Sequence, residues 1–394
     1  MRSQIEGSRA IAETVAACRP QVVPAYPITP QTHIVEAIGA MVKSGRLPAR
    51  FVTVESEFAA MSVAIGASLT GARTYTATAS QGLLYMAEAV FNAAGLGAPI
   101  VMTVANRAIG APINIWNDQS DSISQRDCGW VQLYAADNQE AADLHAVAFA
   151  LAEELSVPVM VCVDGFVLTH AFEPIDVPTP AQVDEFLPAY RPRQKLDPAD
   201  PVAIGAMVGP EAFTEVRYLA DRQLRSAQDV FPRLASYYHA ITGRAVRPVT
   251  GYRIEGADTA VVSLGSVNGT VADVIDEVRD DGLAVGSVAL TMYRPFPASS
   301  LSSLLWGVRR VVVLERSLSP GAQGALTADI RAAVGPWVDL HTVVAGLGGR
   351  AVGRASLRAA VQTAVAGRLP ETSVLDLRED VEELEFQRNV GAAR

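Results

Sequence analysis

The stretch from Phe51 to Gly82, FVTVESEFAAMSVAIGASLTGARTYTATASQG, restricts the possible folds of this chain more than any other. A strand-like apolar run, Phe51 to Val54, leads through the carboxylates Glu55 and Glu57 into a helix of almost nothing but small and apolar residues. A second strand-like run, Thr74 to Ala79, ends in Ser80-Gln81-Gly82. Strand, helix and strand in this order predict a unit of parallel sheet, with polar residues where a strand gives way to the next helix. Open α/β sheets keep their ligands at those ends. Glu57 opens a helix that reads as buried, so its carboxylate is expected to be paired or raised in pKa, because burial penalises the charged form. The plain alternative is that Glu57 caps the helix, its carboxylate set on the positive end of the dipole.

The same alternation runs through the rest of the chain. Helix Gly7 to Ala17, strand Gln21 to Ala25 and helix Gln31 to Met41 precede the stretch. Helix Leu83 to Ala94, strand Pro99 to Ala105, strand Val131 to Tyr134, helix Gln139 to Glu154 and strand Val157 to Val163 follow it. This is the rhythm of a doubly wound parallel sheet. The pattern dissolves into prolines and charges from about Pro174 to Pro210, then yields one long amphipathic helix, Ala212 to Thr242, interrupted near Pro232. A smaller unit starts after Gly256, with strands Thr259 to Leu264, Ala284 to Leu290, Arg310 to Leu314 and Val338 to Val344 separated by helices. The expected organisation is two doubly wound α/β domains, residues 1–245 and 250–370, and a charged tail, residues 371–394.

Several strand ends carry candidate chemistry. In Tyr26-Pro27-Ile28-Thr29-Pro30 two prolines hold the backbone extended, so Thr29 is presented from a stiff loop, as the cap of the next helix or as a ligand contact. Arg107 stands at the end of the Pro99 to Ala105 strand. Its guanidinium could clamp a carboxylate by two parallel hydrogen bonds, or pair with Asp118 or Asp121. It lies in a long polar connection, Asn106 to Trp130, of a length that is usually functional or mobile. Thr78-Ala79-Ser80-Gln81-Gly82 lacks the first glycine of a nucleophile elbow, and no histidine is obviously placed to activate Ser80. The histidines are scattered, with no close metal-ligand spacing, and only His170, just past Asp164-Gly165-Phe166, stays a candidate. Gly346-Leu347-Gly348-Gly349-Arg350-Ala351 fits a dinucleotide-binding turn, but too little chain follows to complete such a sheet, and a tight turn explains it.

The formal net charge of −10 leaves no general basic footprint for nucleic acid. No apolar run approaches membrane-spanning length, and the N-terminus lacks the apolar core of a signal peptide, so a soluble cytoplasmic protein is expected. Cys18, Cys128 and Cys162 are too few and too far apart for a disulfide framework or an iron–sulfur cluster on this chain alone.

Tyr26-Pro-Ile-Thr-Pro30, Glu55-Ser-Glu57, Thr78-Ala-Ser-Gln-Gly82, Asn106-Arg-Ala108 with Ala111-Pro-Ile-Asn-Ile-Trp116, Asp164-Gly-Phe166, Arg294-Pro-Phe-Pro297 and Gly346-Leu-Gly-Gly-Arg350 occur together and in this order. Over nearly the whole chain they resemble the α subunits of 2-oxoacid:ferredoxin oxidoreductases, the pyruvate type most closely. The resemblance implies a thiamine diphosphate pyrimidine-binding domain followed by a transketolase C-terminal-like domain. It implies Glu57 as the carboxylate that hydrogen-bonds the cofactor's aminopyrimidine nitrogen, Thr29 and Arg107 as holding the oxoacid, and Thr29, Ser80 and Gln81 as further cofactor contacts. The implied reaction is oxidative decarboxylation of pyruvate with coenzyme A, the electrons passing to ferredoxin. A branched-chain or aryl 2-oxoacid enzyme is the nearest alternative, and a non-catalytic scaffold subunit is another. The chain has no Gly-Asp-Gly followed by Asn and no cluster cysteines. Magnesium, the diphosphate site and the iron–sulfur clusters are therefore expected on partner subunits, and no metal ligand on this one. The implied partners are a β subunit that completes the site and γ and δ subunits or equivalents, in a dimer of heteromers.

Overall fold

A computed structural model of the chain describes residues 2–391. Its strands, in chain order, are β1 (Ser3–Glu6), β2 (Val22–Ala25), β3 (Arg50–Thr53), β4 (Thr74–Thr78), β5 (Ile100–Asn106), β6 (Val131–Tyr134), β7 (Val159–Asp164) and β8 (Phe172–Ile175). They continue with β9 (Val249–Tyr252), β10 (Thr259–Leu264), β11 (Val285–Leu290), β12 (Met292–Arg294), β13 (Arg310–Glu315), β14 (Asp339–Val344) and β15 (Thr372–Val374).

The first sheet runs β12-β6-β7-β5-β4-β2-β3, with every pair from β6 to β3 parallel. The chain leaves β2 toward β3 and leaves β4 toward β5, so its direction of winding reverses between β2 and β4. A crevice opens at such a switch point, beyond the carboxyl ends of the strands. The second sheet runs β15-β14-β13-β10-β11-β9, parallel except for β9. Both are the doubly wound α/β sheets that the strand and helix rhythm predicts.

Helices cover both faces of the first sheet. On one, Ile11, Ile34, Leu144, Phe149 and Phe231 join the strand residues Val23, Val101 and Val161 in one apolar cluster. On the other, Met61, Leu83, Val90 and Met102 lie in a cluster that continues without a break into Val262, Leu290, Val313 and Leu326 of the second unit. The two sheets therefore share a core. The sharing is also covalent in direction: β12 follows β11 of the second sheet, yet pairs antiparallel with β6 of the first. Tyr134 N–H donates to the Thr291 carbonyl at 2.7 Å, and the Arg294 guanidinium donates to Asp329 at 2.9 Å and to the Arg126 carbonyl at 3.1 Å. Tyr293-Arg294-Pro295-Phe296-Pro297 is thus part of a seam between the units.

Some elements differ from expectation for identifiable reasons. The helix after Gly82 begins earlier, at Ser80, and is split at Met86 into Ser80–Tyr85 and Ala87–Gly95. The long helix is two, Phe213–Arg225 and Ala227–Thr242, and the break falls at Ser226 while Pro232 lies inside the second. Ser226 Oγ donates back to the Arg222 carbonyl at 3.0 Å, the local competition by which serine ends helices. The segment after Pro174 holds a short helix, Pro180–Phe186, with a capping box at Thr179. β1, β8, β9, β12 and β15 are edge or two-stranded pieces of three or four residues, too short to display a period. The helix Glu57–Leu69 is buried on one face only, through Glu57, Ala60, Met61, Ala64 and Ser68, while Phe58, Ser62 and Gly66 face outward. Its composition hides this, because the outer face is as apolar as the inner one. Among the described residues no helix is long and apolar enough to cross a membrane.

Candidate functional site

Four loops meet at the carboxyl ends of the adjacent strands β3, β2, β4 and β5, and each carries one of the candidates. Glu57 is the first residue of its helix, and the cap is Ser56, whose Oγ accepts from Ala59 N–H at 3.1 Å. The capping role considered for Glu57 is thus taken by its neighbour. The Glu57 side chain is buried, with 8% of its surface exposed. Among the described residues no hydrogen-bond or ion-pair partner reaches its carboxylate. Gly82 makes the space for it: a Cβ there would stand 2.6 Å from Glu57 Oε1 and 2.6 Å from Thr78 Oγ1. The Thr78 hydroxyl is itself buried without a partner among the described residues.

Ser80 and Gln81 form the turn out of β4. Ser80 is fully buried and left-handed, with φ of +48°, a conformation that non-glycine residues hold only when their surroundings impose it. Its Oγ donates to the Ala108 carbonyl at 2.5 Å and also contacts the Gln81 side-chain carbonyl, so the hydroxyl ties the β4 turn to the β5 turn. Asp121 completes the tie. Its two oxygens accept from Ser80 N–H at 2.8 Å, Arg107 N–H at 3.0 Å, Ser122 N–H at 2.8 Å and Asn106 Nδ2 at 2.7 Å. Burial pushes its carboxyl up to about 7 against the pull of these donors.

Arg107 does not make the ion pair with Asp118 or Asp121 that its sequence neighbourhood suggested. Its Nε donates to the Asn114 carbonyl at 3.0 Å and its Nη1 to the Thr29 carbonyl at 3.0 Å. Its Nη2 has no partner among the described residues. Burial lowers its pKa and the nearby Asp121 opposes the shift, but a guanidinium stays charged throughout. Thr29 is not the helix cap; Gln31 occupies that position, without a side-chain cap bond. Thr29 is exposed, and its carbonyl is bound to Arg107. The structure therefore brings Glu57, Ser80, Gln81, Thr29 and Arg107 into one connected cluster: Glu57 against Gly82, Ser80 on Ala108, and Arg107 on Thr29.

The second unit braces this cluster. Gly348 N–H donates to Asp118 at 3.1 Å, Gly349 N–H donates to the Asn117 carbonyl at 2.7 Å, and Asn114 Nδ2 donates to the Gly348 carbonyl at 3.1 Å. The glycine turn at Gly346 to Arg350 thus holds the Arg107 loop. Asp164, at the end of β7, is 1% exposed and receives Arg316 Nη1 at 2.6 Å and Ser266 N–H at 2.8 Å across the seam. Phe166 follows with φ of +61° and stacks on Trp116 at 4.7 Å and on His170 at 4.7 Å. Sequence reasoning offered Asp121 only as a counterion, quoted Asn106, Asn114 and Asp164 within motifs without giving them a role, and missed Arg316. The available signal was the density of Asn, Asp, Gln and Ser between Asn106 and Gln125, more than a solvated loop needs.

The sequence model described as "Pyruvate flavodoxin/ferredoxin oxidoreductase, thiamine diP-bdg" matches residues 13–235. The model described as "Pyruvate:ferredoxin oxidoreductase core domain II" matches residues 257–356. The pyruvate synthase subunit PorA of Methanothermobacter thermautotrophicus is 41% identical over 382 residues, which cover 96% of this chain and 99% of that protein. PorA of Thermotoga maritima is 40% identical over 96% of this chain and 98% of its own length. The ketoisovalerate oxidoreductase subunit VorA of Pyrococcus horikoshii is 38% identical over 89% of this chain and 90% of its own. Among solved structures, the 2-oxoglutarate:ferredoxin oxidoreductase from Magnetococcus marinus with 2-oxoglutarate, coenzyme A and succinyl-CoA bound matches 92% of this chain with a TM-score of 0.74 at 19% identity. This chain spans 65% of that longer one, and the likeness is one of fold.

Proposed function

We propose, from the premise that this chain belongs to the pyruvate:ferredoxin oxidoreductase family, that it is the α subunit of a thiamine-diphosphate-dependent pyruvate synthase. One observation carries the reading. A buried carboxylate, Glu57, and a buried guanidinium, Arg107, lie at neighbouring strand ends of one switch-point crevice, and neither is neutralised by the protein among the described residues. Such groups are costly to bury and are kept where a ligand completes them.

The residues fit the pyrimidine half of the cofactor. Glu57 has an open carboxylate, Gly82 leaves a cradle that a Cβ would fill, and the buried Thr78 hydroxyl lacks a partner. When bound, thiamine diphosphate supplies the nucleophilic carbon and the electron sink that decarboxylation of a 2-oxoacid requires. Glu57 would hold a proton in common with the ring nitrogen. Thr29, Ser80 and Gln81 would line the same end of the site, Ser80 through the strained turn it imposes more than through its engaged hydroxyl. Arg107 would offer Nη2 to the substrate carboxylate, and its bond to the Thr29 carbonyl makes the two residues move as one. The reaction is the loss of CO2 from pyruvate, oxidation of the remaining two-carbon unit with its electrons passed to ferredoxin, and its release as acetyl-coenzyme A.

The other half of the site belongs to partners. Cys18, Cys128 and Cys162 are free and buried, and among the described residues they belong to no group of side chains close enough to share a metal or cluster. A β subunit would bring the magnesium and diphosphate site, and γ and δ subunits or equivalents the remaining electron transfer and coenzyme A chemistry, in a dimer of heteromers. Around the crevice Phe58, Tyr85, Ile113 and Trp116 are exposed, an apolar rim that the β subunit would cover. We assign the pyrimidine half to residues 1–245 and the bracing half to residues 250–370.

The test is anaerobic, on the assembled complex: pyruvate-dependent and coenzyme A-dependent reduction of a viologen dye, with and without added thiamine diphosphate. Cofactor-dependent activity that prefers pyruvate over ketoisovalerate is expected. A preference for the branched acid would move the chain to the VorA-like reading, and a complex loaded with cofactor and clusters but inert toward every oxoacid would leave the scaffold reading.

A further inference from the structure

Three residues that are scattered in the sequence meet beside the Thr29 loop. Glu6 ends β1, His33 lies at the start of the helix Thr32–Lys43, and His170 follows the Asp164-Gly165-Phe166 turn. His33 Nδ1 is 2.7 Å from Glu6 Oε1, the His33 and His170 rings are 4.6 Å apart, and one ligand atom from each of the three lies within 4.8 Å of the others. The backbone holds them there. β1 pairs with β8, Gly7 N–H donates to the Ala171 carbonyl at 3.0 Å, and Ser8 N–H donates to the Thr169 carbonyl at 2.9 Å, so Glu6 is tied to the His170 turn. His170 is fixed further by Phe166 stacked on its ring and by Thr169 Oγ1 at 2.7 Å from its Nδ1.

We infer that Glu6, His33 and His170 form a binding site for a borderline divalent cation of the zinc type. Two imidazoles and one carboxylate are an N/O donor set suited to zinc, cobalt, nickel or iron(II), with ligand bonds of about 2.0–2.2 Å. Placing one ion among them requires His33 and Glu6 to open from their direct hydrogen bond and His170 to close in, adjustments that the half-exposed His33 and the partly exposed Glu6 allow. The ion would replace the proton that now joins His33 to Glu6. Thr169 Oγ1 can accept from His170 Nδ1–H while also accepting from Phe166 N–H, an arrangement that leaves Nε2 as the ligand and orients the ring. Three segments far apart in the chain would be stapled, among them the loop that presents Thr29 four residues before His33 and the turn that stacks on Trp116.

The experiment uses the full chain after chelator treatment, titrated with Co2+ alone and read by visible d–d absorption and by thermal melting. Wild type is expected to take up one Co2+ per chain and to melt at a higher temperature in its presence. His33→Ala and His170→Ala should each weaken uptake at least roughly tenfold. Their metal-free melting temperatures should match that of metal-free wild type, which separates loss of a ligand from loss of the fold. Zn2+ should displace the Co2+ signal. No stoichiometric uptake by wild type, or uptake undiminished in both variants, would overturn the assignment.

Discussion

Glu57 and Glu315 are two buried glutamates at the carboxyl ends of parallel strands, one in each sheet, each beside a glycine whose Cβ would collide with it. They differ in what the protein does with their oxygens. Glu315 accepts from Thr327 N–H at 2.8 Å and Thr327 Oγ1 at 3.0 Å, and so closes the amino end of the helix Ala325–Val334; burial raises its pKa. Glu57 accepts from nothing among the described residues, because Ser56 already closes its helix. The same contrast holds for the arginines. Arg316 meets Asp164 across the seam at 2.6 Å, whereas Arg107 meets only carbonyls. Burial of a charge therefore does not mark function in this protein. Under the proposed function, an open hydrogen-bonding position on a buried charge does.

The comparison breaks most readily at the seam. Arg316→Ala leaves Asp164 buried without its counterion, though still hydrogen-bonded by Ser266, and is expected to lower stability by about 3 kcal/mol, read by urea unfolding of the chain. A loss below about 1 kcal/mol would mean that the seam pair is replaceable by water. On the open side, Glu57→Gln should leave unfolding unchanged and lower kcat of the assembled complex by roughly two or more orders of magnitude. A change in stability without a change in kcat would make Glu57 a second Glu315. Arg107→Ala should raise KM for the oxoacid by about 10–100-fold, with a smaller effect on kcat, as loss of a charged hydrogen bond predicts. An unchanged KM would reduce Arg107 to a loop tie. Glu315→Gln keeps both acceptor and shape, and should move stability by only about 1 kcal/mol with no effect on kcat.

The smallest effect at neutral pH concerns His145, whose two ring nitrogens are engaged, Nδ1 with the Ala141 carbonyl at 2.6 Å and Nε2 with Thr103 Oγ1 at 2.6 Å. Burial lowers its pKa from 6.5 to about 4, so between these values the unfolded chain binds a proton that the folded chain does not. Stability must then rise with pH across that window, by at most about 1.4 kcal/mol per pH unit, and fall as the solution is acidified. His145→Gln should flatten this part of the curve and leave kcat at neutral pH untouched. A curve that keeps its slope would assign the titration to another group.

Much of this is legible in the sequence alone. The longer strands and most helices of both sheets follow from local period and turn chemistry, whereas the short edge strands β9, β12 and β15 do not; the loops that carry Thr29, Glu57, Ser80, Gln81 and Arg107 were named because they fall at strand ends. What was not legible has long sequence separation or depends on acceptors that any backbone provides. Asp121 serves Ser80 from 41 residues away, and Arg316 reaches Asp164 across 152. Glu6, His33 and His170 have no spacing that a motif could capture. The pairing of Arg107 with carbonyls in place of the nearby aspartates could not be read either, since Asp121 is claimed by backbone amides that sequence does not display.

By itself, then, the sequence determined the fold class, the order of the principal strands and helices, the family and the identity of the strand-end residues, because periodicity, turn residues and short motifs act over a few residues at a time. The tertiary structure alone decided which buried charges are satisfied and which are left open. It also decided that the two units share one core through β12 and an unbroken apolar cluster. The physical reason is that a hydrogen bond is settled by geometry over a few ångströms between groups that the chain separates by tens or hundreds of residues. Only the folded packing says which donor arrives first.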